Sequence, residues 1–299
     1  MASTAHAGKG ARVFRTNREG AAMPNITTIS RGNLTASVSS MGAELQSLAL
    51  DGREYLWQAD PAFWNKRAPV LFPMVGSLRN KQAMSEAGMC TMERHGVARI
   101  NEHRLVEVSE DGSAVTYELT ETPETLEAFP YRFKLNMTYA LTDDTTLTQT
   151  FKVTNTGDVD LPFSVGGHPA FNVPVPSADG EAFEDCEIRF TEAWSCASPH
   201  MAEGGLASYD DPIYFVNNTD TLTLDHETFN QYDTIVLDHV PSNTVTLVGT
   251  KSGHGVRVDF PGFDYLGIWS AAGGAPFVAI EPWTGHATLT SEDDVFEHK

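Results

Sequence analysis

The stretch Tyr131-Arg132-Phe133-Lys134-Leu135-Asn136-Met137-Thr138-Tyr139-Ala140-Leu141 alternates large apolar side chains with polar or small ones. In an extended chain, successive side chains point to opposite faces, so every second residue lies on the same face. The odd-numbered positions therefore form an apolar face, and the even-numbered positions form a more polar one. This pattern predicts a half-buried antiparallel strand.

The same period of two recurs on both sides of this stretch. Turn signals such as Asp51-Gly52 and Ser252-Gly253 separate the alternating segments. Helical patterns are limited to residues 123–129 and, more weakly, residues 61–64. No internal repeat or linker divides residues 23–299, so we expect one all-β domain built as a large antiparallel sandwich. The alternating apolar positions are Val115, Tyr117 and Leu119, then Val245 and Leu247, then Val256 and Val258.

Residues 1–22 are small, polar and basic, and they lack the apolar centre of a secretory signal. They weakly resemble an organelle transit peptide, but the favoured interpretation is a disordered extension or an appended leader before a native Met23. No run of about 18 apolar residues occurs, so no membrane span is predicted.

The chain has 20 basic and 40 acidic residues, for a formal net charge of −20. Such a charge repels nucleic acids and anionic lipid surfaces, so neither is an expected partner. A local basic patch could still bind one small phosphate. Cys90, Cys186 and Cys196 are odd in number and form no Cys-x-x-Cys, which favours reduced thiols and a cytoplasmic location. Nucleotide-binding, nucleophile-elbow and histidine metal-binding spacings are absent, so no cofactor or metal is expected.

Residues 164–172 place His168 between the flexible pair Gly166-Gly167 and the rigid Pro169. A histidine held in this way suits proton transfer to a ligand, with Phe171 beside it. The simpler interpretation is a tight turn with an incidental histidine, and the local sequence alone favours it.

Three further clusters carry candidate chemistry. In residues 66–80, cations bracket an apolar strand, which is also ordinary for surface lysine and arginine. In residues 94–99, His95 and Arg99 could donate to a polyol hydroxyl or a phosphate, or could lie in a solvated loop. In residues 277–285, Glu281 ends an apolar strand, where a carboxylate is either paired or functional, and Trp283 could line a site or fill the core.

Read in order, five segments resemble the aldose 1-epimerase (galactose mutarotase-like) family, in particular its LacX-type branch. The resemblance covers residues 34–299 and implies an antiparallel β-supersandwich that binds a sugar in an open cleft on one sheet. It implies that Glu281 is the general base and His168 the general acid. The segments are KRAPVLFPMVGSLRN (66–80), RHGVAR (94–99), GGHPAFN (166–172), YLGIWS (265–270) and IEPWTG (280–285).

The resemblance also implies residues that bind the sugar, and it contains two departures. Ser77 stands where related sequences often carry arginine, which leaves open whether Arg79 takes that place. The family usually continues for one more strand beyond Lys299, so we expect the last family strand to be missing and a sheet edge to be exposed. The predicted substrate-binding residues are His95, Asp233, Arg79, Arg99, Phe171 and Trp269.

The predicted activity is interconversion of the α and β anomers of a hexose by acid–base ring opening and closure. Only protons move, and His168 must be charged near neutral pH to act as the acid. One alternative is a hexose-6-phosphate mutarotase using Lys66, Arg67, Arg79 and Arg99. A second is a non-catalytic sugar-binding protein, against which the presence of both His168 and Glu281 argues. The sequence predicts no oligomeric state and no particular hexose.

Overall fold

A computed structural model describes residues 13–14, 24–176 and 180–299 of the chain. Within these ranges the chain is mostly strands, which run in chain order as β1 Val13–Phe14, β2 Ile26–Arg31, β3 Leu34–Ser39, β4 Leu45–Leu50, β5 Arg53–Glu54, β6 Val70–Leu71, β7 Gln82–Ser85, β8 Gly88–Thr91, β9 Arg104–Val108, β10 Ala114–Thr120, β11 Phe133–Leu141, β12 Leu147–Asn155, β13 Gly166–Gly167, β14 Ala170–Asn172, β15 Cys186–Ala202, β16 Leu206–Thr223, β17 Thr234–Asp238, β18 Thr244–Gly249, β19 Gly255–Asp259, β20 Tyr265–Trp269 and β21 Phe277–Trp283.

Helices are few and short in the same ranges. The α-helices are α1 Pro123–Ala128 and α2 His226–Tyr232. Single 3₁₀ turns lie at Arg79–Lys81, Ala98–Ile100, Phe183–Asp185, Glu203–Gly205, Pro241–Asn243 and Phe296–His298.

The strands pair into sheets whose ladders are antiparallel. The central sheet has the order β17-β20-β21-β13-β6, with β14 also paired to β21. The other sheets have the orders β1-β2-β3-β4-β5, β12-β11-β10-β9 and β16-β15-β18-β19, and β7-β8 is a small hairpin; their strands precede β6 in the chain or lie between strands of the central sheet. This architecture confirms the predicted all-β antiparallel fold.

The alternating stretch that predicted this fold forms β11, where buried and half-buried residues alternate without interruption. The strand begins at Phe133, two residues later than the pattern, although Tyr131 is buried as well. Helix α1 confirms the pattern over residues 123–129. Residues 61–64 form only a hydrogen-bonded turn, with Trp64 N donating to Asp60 O.

Helix α2 is absent from the sequence predictions because it spans barely two turns. Its start is nevertheless well defined, since the Asp225 side chain accepts a hydrogen bond of 2.9 Å from Thr228 N. Two expectations stay predictions. The extension at residues 1–22 lies outside the described residues, except for β1, which pairs with β2. The assignment of residues 23–299 to one domain also stays a prediction.

Two apolar cores lie between the sheets. One packs β2–β4 against β9–β12, and its buried tyrosine hydroxyls are satisfied: Tyr139 donates to Ala43 O at 2.7 Å, and Tyr117 shares a hydrogen bond with Thr27. The other packs one face of the central sheet against β15 and β18. The three cysteines are buried in these cores as free thiols. Among the described helices, none is long and apolar enough to cross a membrane.

Strand β21 divides its side chains between a core and the opposite face of the central sheet. Val278 and Ile280 belong to the second core. The odd-numbered residues of β21 face the opposite side of the sheet. Glu281 and Trp283 are two positions apart and therefore share this face. The buried strand thus presents one carboxyl group on the side of the sheet away from the core.

Two glycines in neighbouring strands make room for the Trp283 indole. A Cβ on Gly267 would lie 2.3 Å from the Trp283 ring, and a Cβ on Gly166 would lie 2.6 Å from it. Both distances are far inside van der Waals contact. The indole is 6% exposed, so it has nowhere to move without displacing other buried groups.

We expect Gly267→Ala to lower the free energy of unfolding by about 1–3 kcal/mol, the usual effect of overpacking a buried site. Gly157→Ala is the matched control, because the closest neighbour of its Cβ would be Arg132 Cβ at 3.4 Å, an ordinary contact. Urea denaturation of both variants measures the difference. Equal denaturation midpoints for the two variants would contradict the proposed crowding.

Candidate active site

An open cavity of about 200 Å³ lies over the side of the central sheet that carries Glu281 and Trp283. Its roof is the hairpin formed by β15 and β16, which we call the β15–β16 arm. Pro199, Gly205 and Tyr209 of this arm line the cavity. The arm is tied to the C-terminal segment because Ala207 N donates to Thr288 O at 3.1 Å. The space is large enough for a hexose.

His168 and Glu281 meet in this cavity. His168 Nε2 lies 3.2 Å from Glu281 Oε1, and the two residues are 8% and 2% exposed. The backbone fixes both partners, because His168 N donates to Pro69 O and Ile280 N donates to Pro169 O. The structure therefore joins two residues that are remote in the chain.

Aromatic rings surround the histidine. Its ring stacks on Trp64 at a centroid distance of 4.9 Å, and it meets Trp269 edge-on at 5.5 Å. Phe277 stacks on Trp64 from behind. These rings remove water from the imidazole and offer flat apolar faces to a ligand.

Burial keeps both members of the pair uncharged. Burial, together with the positive charges of Arg99 and Arg94, lowers the pKa of His168 to about 3. Burial also raises the pKa of Glu281 well above its usual value, and Asp233 adds to the rise. These pKa directions oppose the expectation that His168 is charged near neutral pH, which stays a prediction. Both directions favour a neutral pair that holds one proton on Glu281.

His95 is a neutral hydrogen-bond donor in the same cavity. Its Nδ1 accepts a hydrogen bond of 3.1 Å from Gly76 N, which places the ring proton on Nε2. Burial, with the charges of the surrounding cationic groups, lowers the pKa of His95 well below its usual value. The ring stands perpendicular to that of His168 at a centroid distance of 5.8 Å.

Asp233 and Trp269 lie together at the cavity wall. Trp269 Nε1 donates to Asp233 Oδ1 at 3.1 Å. Asp233 is exposed, follows α2 directly and has a φ of +62°, a conformation that non-glycine residues rarely adopt. Such a backbone conformation is often found where a side chain must be aimed.

Two of the predicted substrate-binding residues lie outside the cavity. Arg79 donates to the carbonyl oxygens of Leu289, Thr290 and Glu292, so its guanidinium holds the C-terminal segment. Phe171 belongs to the second core, because it is three residues from His168 and therefore on the opposite face of the sheet. These placements correct both expectations.

The sequence reasoning did not select three residues that line the cavity: Arg94, Trp64 and His286. Arg94 was visible beside His95 in the segment RHGVAR, and its Nε donates to Ser77 Oγ at 3.2 Å. The predicted Arg99 also lines the cavity. In the part of the chain that the structure describes, no group of three histidine, cysteine or acidic residues could hold a metal ion.

Comparison with known proteins defines the class. Residues 25–295 match the family model described as aldose 1-epimerase, and the chain belongs to this family. Its curated relatives include the plasmid and chromosomal LacX proteins of Lactococcus lactis subsp. lactis. Both are 40% identical over 89% of this chain and 90% of their own length. The resemblance found in the sequence is thereby confirmed.

Solved structures show the same fold. A galactose mutarotase related enzyme from Lactobacillus acidophilus superposes with a TM-score of 0.83 at 28% identity, covering 92% of this chain and 90% of its own. A galactose mutarotase-like protein from Lactobacillus casei gives 0.79 at 30% identity, with 92% of each chain covered. The family binds sugar substrates, which fits an aromatic cavity with convergent polar groups.

We expect Glu281→Gln to become more stable relative to the natural protein as pH rises from about 5 to about 8. A carboxyl group whose pKa is raised by folding loses folded-state stability as pH rises above its unfolded pKa, and glutamine does not titrate. The gain should reach about 0.5–2 kcal/mol, as is common when a strained functional group is removed. Chemical denaturation across this pH range measures it.

Glu181→Gln provides a control, because the pKa of Glu181 is shifted in the opposite direction. Hydrogen bonds from Ser252 and Lys251 lower the pKa of Glu181 despite the opposing effect of burial. Its stabilisation is fully present above the unfolded pKa of about 4.5 and is lost only as pH falls below that value, so the stability of this variant relative to the natural protein should not change between about pH 5 and pH 8. The same pH trend in both variants would contradict the assignment for Glu281.

Proposed function

We propose that this protein interconverts the α and β anomers of a hexose by acid–base ring opening and closure. The observation that supports this most strongly is the 3.2 Å contact between His168 Nε2 and Glu281 Oε1 in a cavity of hexose size. Anomer exchange requires one base and one acid on a single sugar, and this pair provides both with one proton between them.

Ring opening uses the ionised form of the pair. Glu281 accepts the proton of the C1 hydroxyl, and His168 donates its proton to the ring oxygen. The bond between C1 and the ring oxygen breaks, and an open-chain aldehyde forms. Glu281 now carries the proton and His168 is neutral, which is the arrangement that the pKa directions favour.

Ring closure reverses these transfers after rotation about the C1–C2 bond. Neutral His168 takes the proton from the chain hydroxyl, which attacks the other face of the aldehyde, and Glu281 protonates the new C1 oxygen. The pair holds one proton throughout, so no proton has to enter or leave the cavity.

The surrounding residues hold the sugar in this scheme. Neutral His95 donates through Nε2 to a ring or hydroxyl oxygen. Asp233 accepts from a sugar hydroxyl at the cavity wall, and Trp64 and Trp269 contact the C–H faces of the ring. Positioning of this kind is itself a large part of catalysis.

We expect Glu281→Gln and His168→Gln each to slow anomer exchange by about 10²–10⁴, the usual effect of a positioned acid or base. Polarimetric relaxation of freshly dissolved α-glucose or α-galactose measures the rate. His103→Gln is the control, because His103 is also buried, with a pKa lowered to about 4, yet it lies outside the cavity. Unchanged relaxation with Glu281→Gln would refute the mechanism.

We also expect kcat/KM to stay flat between about pH 5 and pH 8. This parameter reports the ionisations of the free enzyme. The pair gains a second proton only towards the His168 pKa of about 3, and it loses its last proton only above the raised pKa of Glu281. An inflection near 6.5, the pKa of an ordinary histidine, would show that His168 titrates separately.

A further inference from the structure

Arg94 and Arg99 line the cavity without acidic partners. Neither guanidinium has a carboxylate within ion-pair distance in the described ranges, and Arg99 has no hydrogen-bond partner there either. Five other arginines pair with a carboxylate at N–O distances of 2.5–3.8 Å, namely Arg31, Arg79, Arg104, Arg189 and Arg257. Arg67 forms no ion pair, but its guanidinium donates to Gln46 Oε1 and Gln58 O outside the cavity. Two adjacent cations thus face a cavity in a chain whose net charge is −20.

Contacts with neighbouring residues hold the Arg94 side chain in place, although no carboxylate of the described chain pairs with it. Its Nε donates to Ser77 Oγ at 3.2 Å, which fixes the plane of the guanidinium. A Cβ on Gly205 would lie 2.4 Å from Arg94 Nη2 and 2.9 Å from Ser77 Oγ. The absence of a side chain at Gly205 therefore makes room for the guanidinium against the tip of the β15–β16 arm. The other guanidinium N–H groups of Arg94 have no acceptor in the described chain.

The two charges repel each other, and Arg99 is also half-buried whereas Arg94 is exposed. Burial lowers the pKa of Arg99, and the charge of Arg94 lowers it further, while Glu44 and Glu93 oppose this from beyond ion-pair distance. An anion between the two guanidiniums would relieve the repulsion. The charges of both arginines lower the pKa of His168, and the charge of Arg94 lowers that of Glu281. The two cations therefore lie close to the acid–base pair.

We propose that Arg94 and Arg99 form a subsite for an anionic substituent of the sugar, so that the substrate is an aldose bearing a phosphate or a carboxylate. This rests on the proposed anomer exchange. A phosphate monoester matches the site better, because its charge of about −1.5 to −2 balances two cations and its oxygens accept bidentate hydrogen bonds from arginine.

The subsite is tested by measuring kcat/KM for anomer exchange of glucose, glucose 6-phosphate and glucuronate. We expect kcat/KM for at least one anionic sugar to exceed that for glucose about tenfold or more. Comparing glucose 6-phosphate with glucuronate shows whether the subsite prefers a phosphate or a carboxylate. Arg94→Gln and Arg99→Gln should each reduce the anionic-to-neutral ratio about 10- to 100-fold, the usual effect of losing a hydrogen bond to a charged group.

Arg257→Gln is the control for the loss of one positive charge, because Arg257 pairs with Asp259 on β19, away from the cavity. It should leave the ratio unchanged. A ratio near one in the natural protein, or one that Arg94→Gln and Arg99→Gln do not alter, would overturn the subsite.

A binding measurement tests the subsite without relying on catalysis. Calorimetric titration of the Glu281→Gln variant with inorganic phosphate should show binding, and adding Arg94→Gln or Arg99→Gln should weaken it at least tenfold. Absent binding, or binding that these changes do not weaken, overturns the subsite. If the natural protein accelerates no sugar, the proposed function fails instead, whatever the titration shows.

Discussion

The removal of His168 and Glu281 from water is the constraint on which the rest of the site depends. In water, a glutamate and a histidine at neutral pH would ionise independently. Here burial makes each charge unfavourable, so the two groups share a single proton over a 3.2 Å contact. A site in this condition needs rigid walls, because water entering it would restore independent ionisation. The aromatic rings and the two packed cores provide those walls.

The central sheet supplies both the burial and the geometry. Alternation along β21 sends Ile280 into a core and Glu281 into the cavity, so one strand anchors the protein and carries a reactive group. Backbone hydrogen bonds around Pro169 align His168 with this strand. The β15–β16 arm covers the opposite side and brings Gly205 against Arg94. The candidate acid–base pair, the arm that lines the cavity and the two arginines thus come from different parts of the fold, since Arg94 and Arg99 lie between β8 and β9.

The sequence predicted the fold well because alternation is a local signal: β11 follows its pattern almost residue by residue. It predicted candidate residues less evenly. His168 and Glu281 emerged through family resemblance, since no local pattern shows that distant residues meet. Nothing in the local sequence distinguishes Arg79 from Arg94. Arg79 lies outside the cavity because it binds backbone carbonyl groups more than two hundred residues away in the chain, which no local pattern reveals. Long strands such as β15 were missed because bulges interrupt their alternation.

The packing of Trp283 between Gly166 and Gly267 bears on how this sheet can evolve. A side chain gained at either glycine collides with the indole, whereas a smaller residue at position 283 leaves a void beside two bare backbones. Each single step is unfavourable while the combined change is not. These three positions are therefore epistatic, and descendants of this sequence should replace them together or keep all of them. The floor of the cavity is in this sense inherited as a unit.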